Sequence, residues 1–243
     1  MTARGVWWVA LAAVAAGGAV VARPAAAPAA TQQERVGVSG QLTLVERPGA
    51  ERCDVRSSVV YLEAPGRAAR DVAAEGSALL GATIAMRGRE FVPHVRTVLA
   101  GGTVAFPNQD PFSHNVFSNA DPGPFDLGLY RRGRSRSANF VQPGVYPIYC
   151  NIHSKMVSFV VAVPTPYVAQ AGPDGRFSIA APPGTYLLHA WHECAGAQVT
   201  REITIPATGL AGVRVQLDAR AYVLAPHLNK FGLPYSATRA DKY

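Results

Sequence analysis

Cys150, His153 and Met156 stand three residues apart in "YCNIHSKMVSFVVAV". A strand buries every second side chain, so a period of three does not serve sheet packing. Thiolate, imidazole and thioether are instead soft or borderline metal ligands. A trigonal set needs a second histidine, and the candidate is His114, in the polar turn "PNQDPFSHNVFS" that enters a strand. Two imidazoles and a thiolate with a weak axial thioether form the donor set of blue-copper sites. Structural zinc sites are closed sets without thioether, so zinc fits less well. A Cys/His hydrolase would need oxyanion donors and a group orienting its base. No local motif names either, so the chain reads as a non-enzyme.

Ligands so placed need a rigid frame, and the pattern around them is that of strands and turns. "VSGQLTLVE" alternates and breaks at Pro48-Gly49, and "SSVVYLE" ends at "APGR". Between residues 64 and 81 the pattern weakens into an Ala-, Arg- and Gly-rich linker or surface loop. "GATIAMRGREFVPHVRTVLAGGTVAFPNQD" then gives short strands with Gly-Gly and Pro-Asn turns, and "MVSFVVAV" is a strand rich in β-branched residues. No long helical period appears. The fold class expected is all-β, built from sandwiches.

At residues 80–163 the chain resembles the cupredoxins, the small blue-copper proteins. Cys-x-x-His-x-x-Met is similar to the short ligand loop of amicyanin, and "FPNQD…HNV" to the turn that carries the upstream histidine. The wider run "FVPHV…GGTVAFPNQDPFSHNVFS…FDLGLYRRG…YCNIHSKM" resembles methylamine-utilisation-type plastocyanin-like proteins. The resemblance implies a Greek-key β-sandwich holding one type 1 copper ion on His114, Cys150, His153 and Met156. It also implies that Asn115 ties the two ligand loops together. The function implied is single-electron carriage between redox partners; the alternative is a copper carrier or sensor without electron-transfer turnover.

After Pro164 the strand texture repeats without ligands. "DGRFSIAAPPGTYLLHAW" resembles the carboxypeptidase-regulatory-like or transthyretin-like β-sandwich, whose opening strands would be the upstream "VSGQLTL" and "SSVVYLE". The economical division is a discontinuous sandwich over 36–63 plus 164–219, the copper domain inserted between, and an extended tail over 220–243. The three cysteines are Cys53, Cys150 and Cys194. If copper takes Cys150 as a free thiolate, Cys53 and Cys194 remain to pair in an oxidising compartment. The alternative is two unrelated buried thiols.

Residues 1–30 read as an export leader: Arg4, the apolar "VWWVALAAVAAGGAVVA", then small residues and prolines. Cleavage is expected between Ala22 and Ala30, giving a periplasmic or otherwise exported chain with no stable membrane span. The net charge is +7, of which the leader supplies Arg4 and Arg23, leaving +5. That balance suits an acidic redox protein partner. Nothing interleaves basic and aromatic residues as nucleic-acid sites do, so nucleic acid is not expected. Arg131, Arg132, Arg134 and Arg136 crowd "LYRRGRSRSANF", either as a solvated hairpin tip or as a docking patch. His94 reads as a packing or surface histidine. His189 and His192 flank Trp191 at a spacing that puts them on opposite faces of a strand.

Overall fold

The computed structural model describes residues 34–49, 53–66, 76–121 and 123–235, together with Met1. The expected leader, part of the 64–81 linker and the last residues of the tail lie outside the described residues. In chain order the strands are β1 (Val36–Val45), β2 (Val59–Glu63), β3 (Gly81–Thr83), β4 (Ala85–Arg87), β5 (Glu90–Val92) and β6 (Val95–Leu99). There follow β7 (Gly102–Pro107), β8 (His114–Ser118), β9 (Phe125–Tyr130), β10 (Ser135–Phe140), β11 (Gly144–Tyr149) and β12 (Val157–Val163). The last are β13 (Val168–Gln170), β14 (Arg176–Ala181), β15 (Gly184–Trp191), β16 (Val199–Ile205) and β17 (Leu210–Asp218). The protein is all-β. Among the described residues no helix is long and apolar enough to cross a membrane.

Two sandwiches result. In one, the sheet ordered β14-β1-β17 and the sheet ordered β13-β2-β15-β16 enclose a core that includes Val38, Leu42, Leu62, Tyr167 and Leu188. In the other, β10-β7-β3 and β6-β12-β11-β8-β9 enclose Val104, Phe106, Val116, Phe140, Ile148 and Val160. Every strand of the second sandwich falls in sequence between β2 and β13. β1 is central in its sheet, antiparallel to β14 and parallel to β17, so the first strand finds its partners only after the intervening sandwich is complete.

The near-continuous apolar run of β12 has a structural cause. Val160 and Ala162 point into the second sandwich's own core. Phe159, Val161 and Val163 point the other way, into a separate cluster with Val59, Tyr61, Val95 and Trp191. A strand buried on both faces cannot alternate apolar with polar. β2 does the same from its side: Val60 and Leu62 serve one core, Val59 and Tyr61 the shared layer. The sandwiches are therefore stacked sheet against sheet.

At the edge of that layer His94, before β6, pairs through Nε2 with the Glu193 carboxylate after β15. Burial pulls the imidazole down, but the Glu193 hydrogen bond and charge outweigh it, with help from Val157 and Asp54, and the net shift is upward. A raised histidine stabilises the fold fully below its unfolded value of about 6.5. That stability is lost as pH rises through the folded value. The urea midpoint should therefore fall as pH rises upward from about 6.5, and the fall should be smaller in His94→Gln. Equal pH profiles in the two proteins would remove the clasp. One residue beyond Glu193 a disulfide joins Cys194 to Cys53 across a separation of 141 residues. In the chain-entropy model, closing so long a loop contributes about 5 kcal/mol. Cys53→Ala/Cys194→Ala should show a loss of that order in denaturant unfolding.

Candidate metal centre

Two distant segments build the site. β11 ends at Tyr149, and residues 150–156 turn the chain back into β12. Cys150 N–H donates to the Met156 carbonyl (3.3 Å) and Met156 N–H to the His153 carbonyl (3.1 Å), so the loop closes on itself. Cys150 and Met156 lie in the same core cluster, 0% and 1% exposed. The period of three thus serves a tight turn that returns each side chain inward.

The upstream segment is shaped by Asn108. Its Nδ2 donates to the carbonyls of Phe112 (2.8 Å) and Tyr130 (3.0 Å), and its Oδ1 accepts from Asp110 N–H (2.9 Å). The loop so fixed delivers His114 to the start of β8, every residue of which is buried. His114 Nδ1 lies 3.7 Å and His153 Nδ1 3.5 Å from Cys150 Sγ. The ligand atoms of all three side chains are within 4.8 Å of one another. An ion about 2.0–2.3 Å from each atom, at trigonal or tetrahedral angles, spaces sulfur and nitrogen about 3.5–3.8 Å apart. The three side chains therefore fit one shared ion, and a thiolate with two imidazoles is a soft donor set.

Asp110 fixes the orientation of His114. Its Oδ2 accepts from His114 Nε2 (2.8 Å) and from Arg89 N–H (2.9 Å), and its Oδ1 accepts from Gly88 N–H (2.6 Å). Those two amides sit side by side because Gly88 and Arg89, in the β4–β5 turn, both take positive φ, 66° and 63°. This is the backbone of a tight hairpin turn. Burial pushes the Asp110 carboxyl up, but the Arg89 amide, the imidazole and the Gly88 amide more than offset it, and it sits below the usual carboxylate range. Burial pulls His114 down despite Asp110, so the pair is a carboxylate accepting from a neutral imidazole. With its proton held on Nε2, His114 turns the Nδ1 lone pair toward the sulfur.

Burial also raises the Cys150 thiol, while the backbone amides of Ile152, Asn115 and His153 directed at its sulfur act in the opposite sense. Those amides are placed for a thiolate. Asn115 meets the ligand loop through this amide. Its side chain points elsewhere, donating from Nδ2 to Asp126 Oδ1 (2.6 Å), while its buried Oδ1 has no partner among the described residues.

The tail supplies contacts that sequence reasoning missed. Tyr235 donates its hydroxyl to the Cys150 carbonyl (2.6 Å), and Lys230 N–H donates to Asn151 Oδ1 (2.9 Å). His227 stacks on Tyr149 with ring centroids 4.4 Å apart, its Nε2 3.3 Å from the His153 carbonyl. Lys230 Nζ pairs with Asp126 Oδ2 at 2.6 Å. Residues 220–235 therefore run from the end of β17 across the ligand loop as a strap.

The remaining sequence candidates lie elsewhere or at the rim. The arginine hairpin begins directly after Tyr130, the residue paired with His114, and so stands at the metal end of the sheet. Arg136 folds back over the Tyr130 ring and donates to the Leu127 carbonyl, while Arg131, Arg132 and Arg134 are exposed. His192 is fully buried beside the disulfide, with Nε2 donating to the Asp54 carbonyl (2.9 Å) and Nδ1 accepting from Cys194 N–H (3.0 Å). His189 faces Glu63 at 3.1 Å. Neither these histidines nor His94 joins His114 and His153.

No family model and no curated protein matches the chain. Among solved structures, it is similar to a copper-containing nitrite reductase from Thermus scotoductus SA-01, at 28% identity and a TM-score of 0.33. That match covers 35% of this chain and 22% of the reductase, less than a quarter of its length. A purple cupredoxin from Nitrosopumilus maritimus is 26% identical over 34% of this chain and 99% of its own, with a TM-score of 0.32. A reduced amicyanin variant is 21% identical over 42% of this chain and 99% of its own, with a TM-score of 0.33.

Because Asp110 holds His114 without touching the sulfur, its charge can be removed while the ligands stay. Asp110→Asn should weaken metal binding about 10–100-fold, the range for loss of a carboxylate behind a ligating imidazole. Chelator competition measures this, with the metal-free melting temperature as the folding control. Unchanged affinity would make the Asp110 contact a structural one only.

Proposed function

We propose that this chain is an exported type 1 copper protein that carries single electrons. The observation that carries the reading is the convergence of His114 Nδ1 and His153 Nδ1 on the Cys150 sulfur, at 3.7 and 3.5 Å, inside a closed loop that ends at Met156. His114, Cys150 and His153 would hold the ion, with Met156 as the weak fourth donor. When bound, copper supplies a one-electron couple between two oxidation states.

The chain's own residues make that couple usable. Sulfur and both imidazoles are at most 7% exposed, which keeps water from competing for the ion. Asp110 fixes the His114 tautomer, and the amides of Asn115, Ile152 and His153 favour thiolate over thiol. β8, β11 and β12 belong to one five-stranded sheet, and the strap is bonded to the loop between the last two. Little can rearrange when charge changes, and a small rearrangement suits electron transfer. The basic surface at this end suits an acidic redox partner.

Copper titration should saturate at one equivalent, with an intense visible sulfur-to-copper charge-transfer band and a reversible potential. Cys150→Ser should abolish the band. Met156→Leu should keep it and raise the potential, because the variant withdraws a donor from the oxidised ion. A copper-loaded protein without the band would overturn the type 1 assignment. Transfer of the ion to apo-acceptors without a reversible couple would favour a copper carrier.

A further inference from the structure

The strap does more than cover the ligand loop. Its turn at 229–233 is locked by its own hydrogen bonds: Asn229 Oδ1 accepts from Phe231 N–H (2.9 Å) and Leu233 N–H (3.1 Å). Asn229 N–H donates to the Leu233 carbonyl (2.8 Å) and Gly232 N–H to the Asn229 carbonyl (2.9 Å). Asn151 of the ligand loop and Asp126 of β9 anchor Lys230 beside it. The Lys230 amide and the His227 and Tyr235 side chains face the protein. Its large apolar side chains face solvent: Leu228 is 50%, Phe231 74% and Leu233 59% exposed. Rigid, exposed aromatic anchors of this kind carry most of the energy in small interfaces.

The carboxylate beside this knob, Asp126, is already paired with Lys230. Arg131, Arg132 and Arg134 stand exposed at the same sheet end, and the whole chain carries +7. Leu129, 58% exposed, pairs with Asn115 on the strand that anchors Lys230. From this juxtaposition we infer that the strap's 229–233 turn, centred on Phe231, is the docking surface for a redox protein that presents an apolar patch rimmed with carboxylates. The inference rests on the electron-carrier reading. The arginines steer encounter over a Debye length of about 8 Å at physiological salt, and the turn sets the docked geometry. The electron then has a covalent and hydrogen-bonded course from the docked face to the sulfur's own residue, through Tyr235 to the Cys150 carbonyl.

The test is stopped-flow electron exchange between the copper-loaded protein and an acidic c-type cytochrome, with hexacyanoferrate as a small-molecule reference. Phe231→Ala should lower the second-order rate with the cytochrome about tenfold. It should leave the hexacyanoferrate rate, the absorption band and the potential unchanged. Val141→Ala, 72% exposed beyond the far end of β10 in the facing sheet, should change neither rate. Raising ionic strength should slow the cytochrome reaction, and less so after Arg131→Gln/Arg132→Gln. An unchanged cytochrome rate in both Phe231→Ala and Phe231→Ala/Leu233→Ala, with band and potential intact, overturns the docking surface but not the carrier reading. Loss of the band in the unaltered protein overturns the carrier reading instead. Sedimentation should show the same mass for the unaltered protein and Phe231→Ala; a dimer dissolved by the substitution would assign the turn to a second copy. Removal of residues 236–243 should leave the rate as it was; a rise would show that the chain's own end occupies the turn.

Discussion

A fully buried sulfur that would have to carry negative charge to hold an ion is the constraint from which the rest of the structure follows. Burial alone drives Cys150 toward the neutral thiol, and three backbone amides press it the other way. Amides cannot be aimed at one atom by a mobile loop. The ligand loop is accordingly pinned at each step: by Cys150 to Met156, by Met156 to His153, and by Tyr235 and Lys230 from the strap. The upstream imidazole is treated the same way. Asn108 sets the loop, the β4–β5 turn sets Asp110, and Asp110 sets His114.

The frame is stiff because the sheet that carries the ligand loop is packed on both faces along β12. β12 gives one row of side chains to its own core and the other to the layer it shares with β2 and β15. A shift of the ligand loop would have to be transmitted into that doubly packed strand. The interior of a sandwich resists such shifts, since close-packed side chains have no free volume to yield. The first sandwich thereby acts as a backing plate for the one that carries the candidate site.

Local pattern made some of this legible and hid the rest. The strand "HNVFS", the apolar run of β12 and the inward loop from Cys150 to Met156 all follow from residue type and spacing. His114 was found because a polar turn delivering a histidine into an apolar strand has few other uses. Asp110 went unremarked in the same turn, because a carboxylate in "PNQD" also reads as ordinary turn chemistry. Its role appears only when the amides of Gly88 and Arg89 are seen to converge on it. The strap was the hardest part to read. "APHLNKFGLPYSATRADKY" has no period, and its bond from Tyr235 to Cys150 spans 85 residues, so nothing local records it. Asn115 was named from the resemblance alone, since its link to the ligand loop is a backbone amide and carries no side-chain signature.

The central place of β1 has a temporal meaning. A ribosome releases β1 and β2 before the other strands, yet their neighbours β13 to β17 emerge only after the whole sandwich that carries the candidate site has been made. Pairings so distant in sequence form late, because the loop they close is long. The inner sandwich can thus reach its own fold while the outer one is still an unjoined pair of ends. The strap, which follows β17, can close on the ligand loop only after both are made. Chain order therefore leaves an interval in which the candidate site exists and its cover does not, so the site belongs to the assembly history of the molecule as much as to its final form.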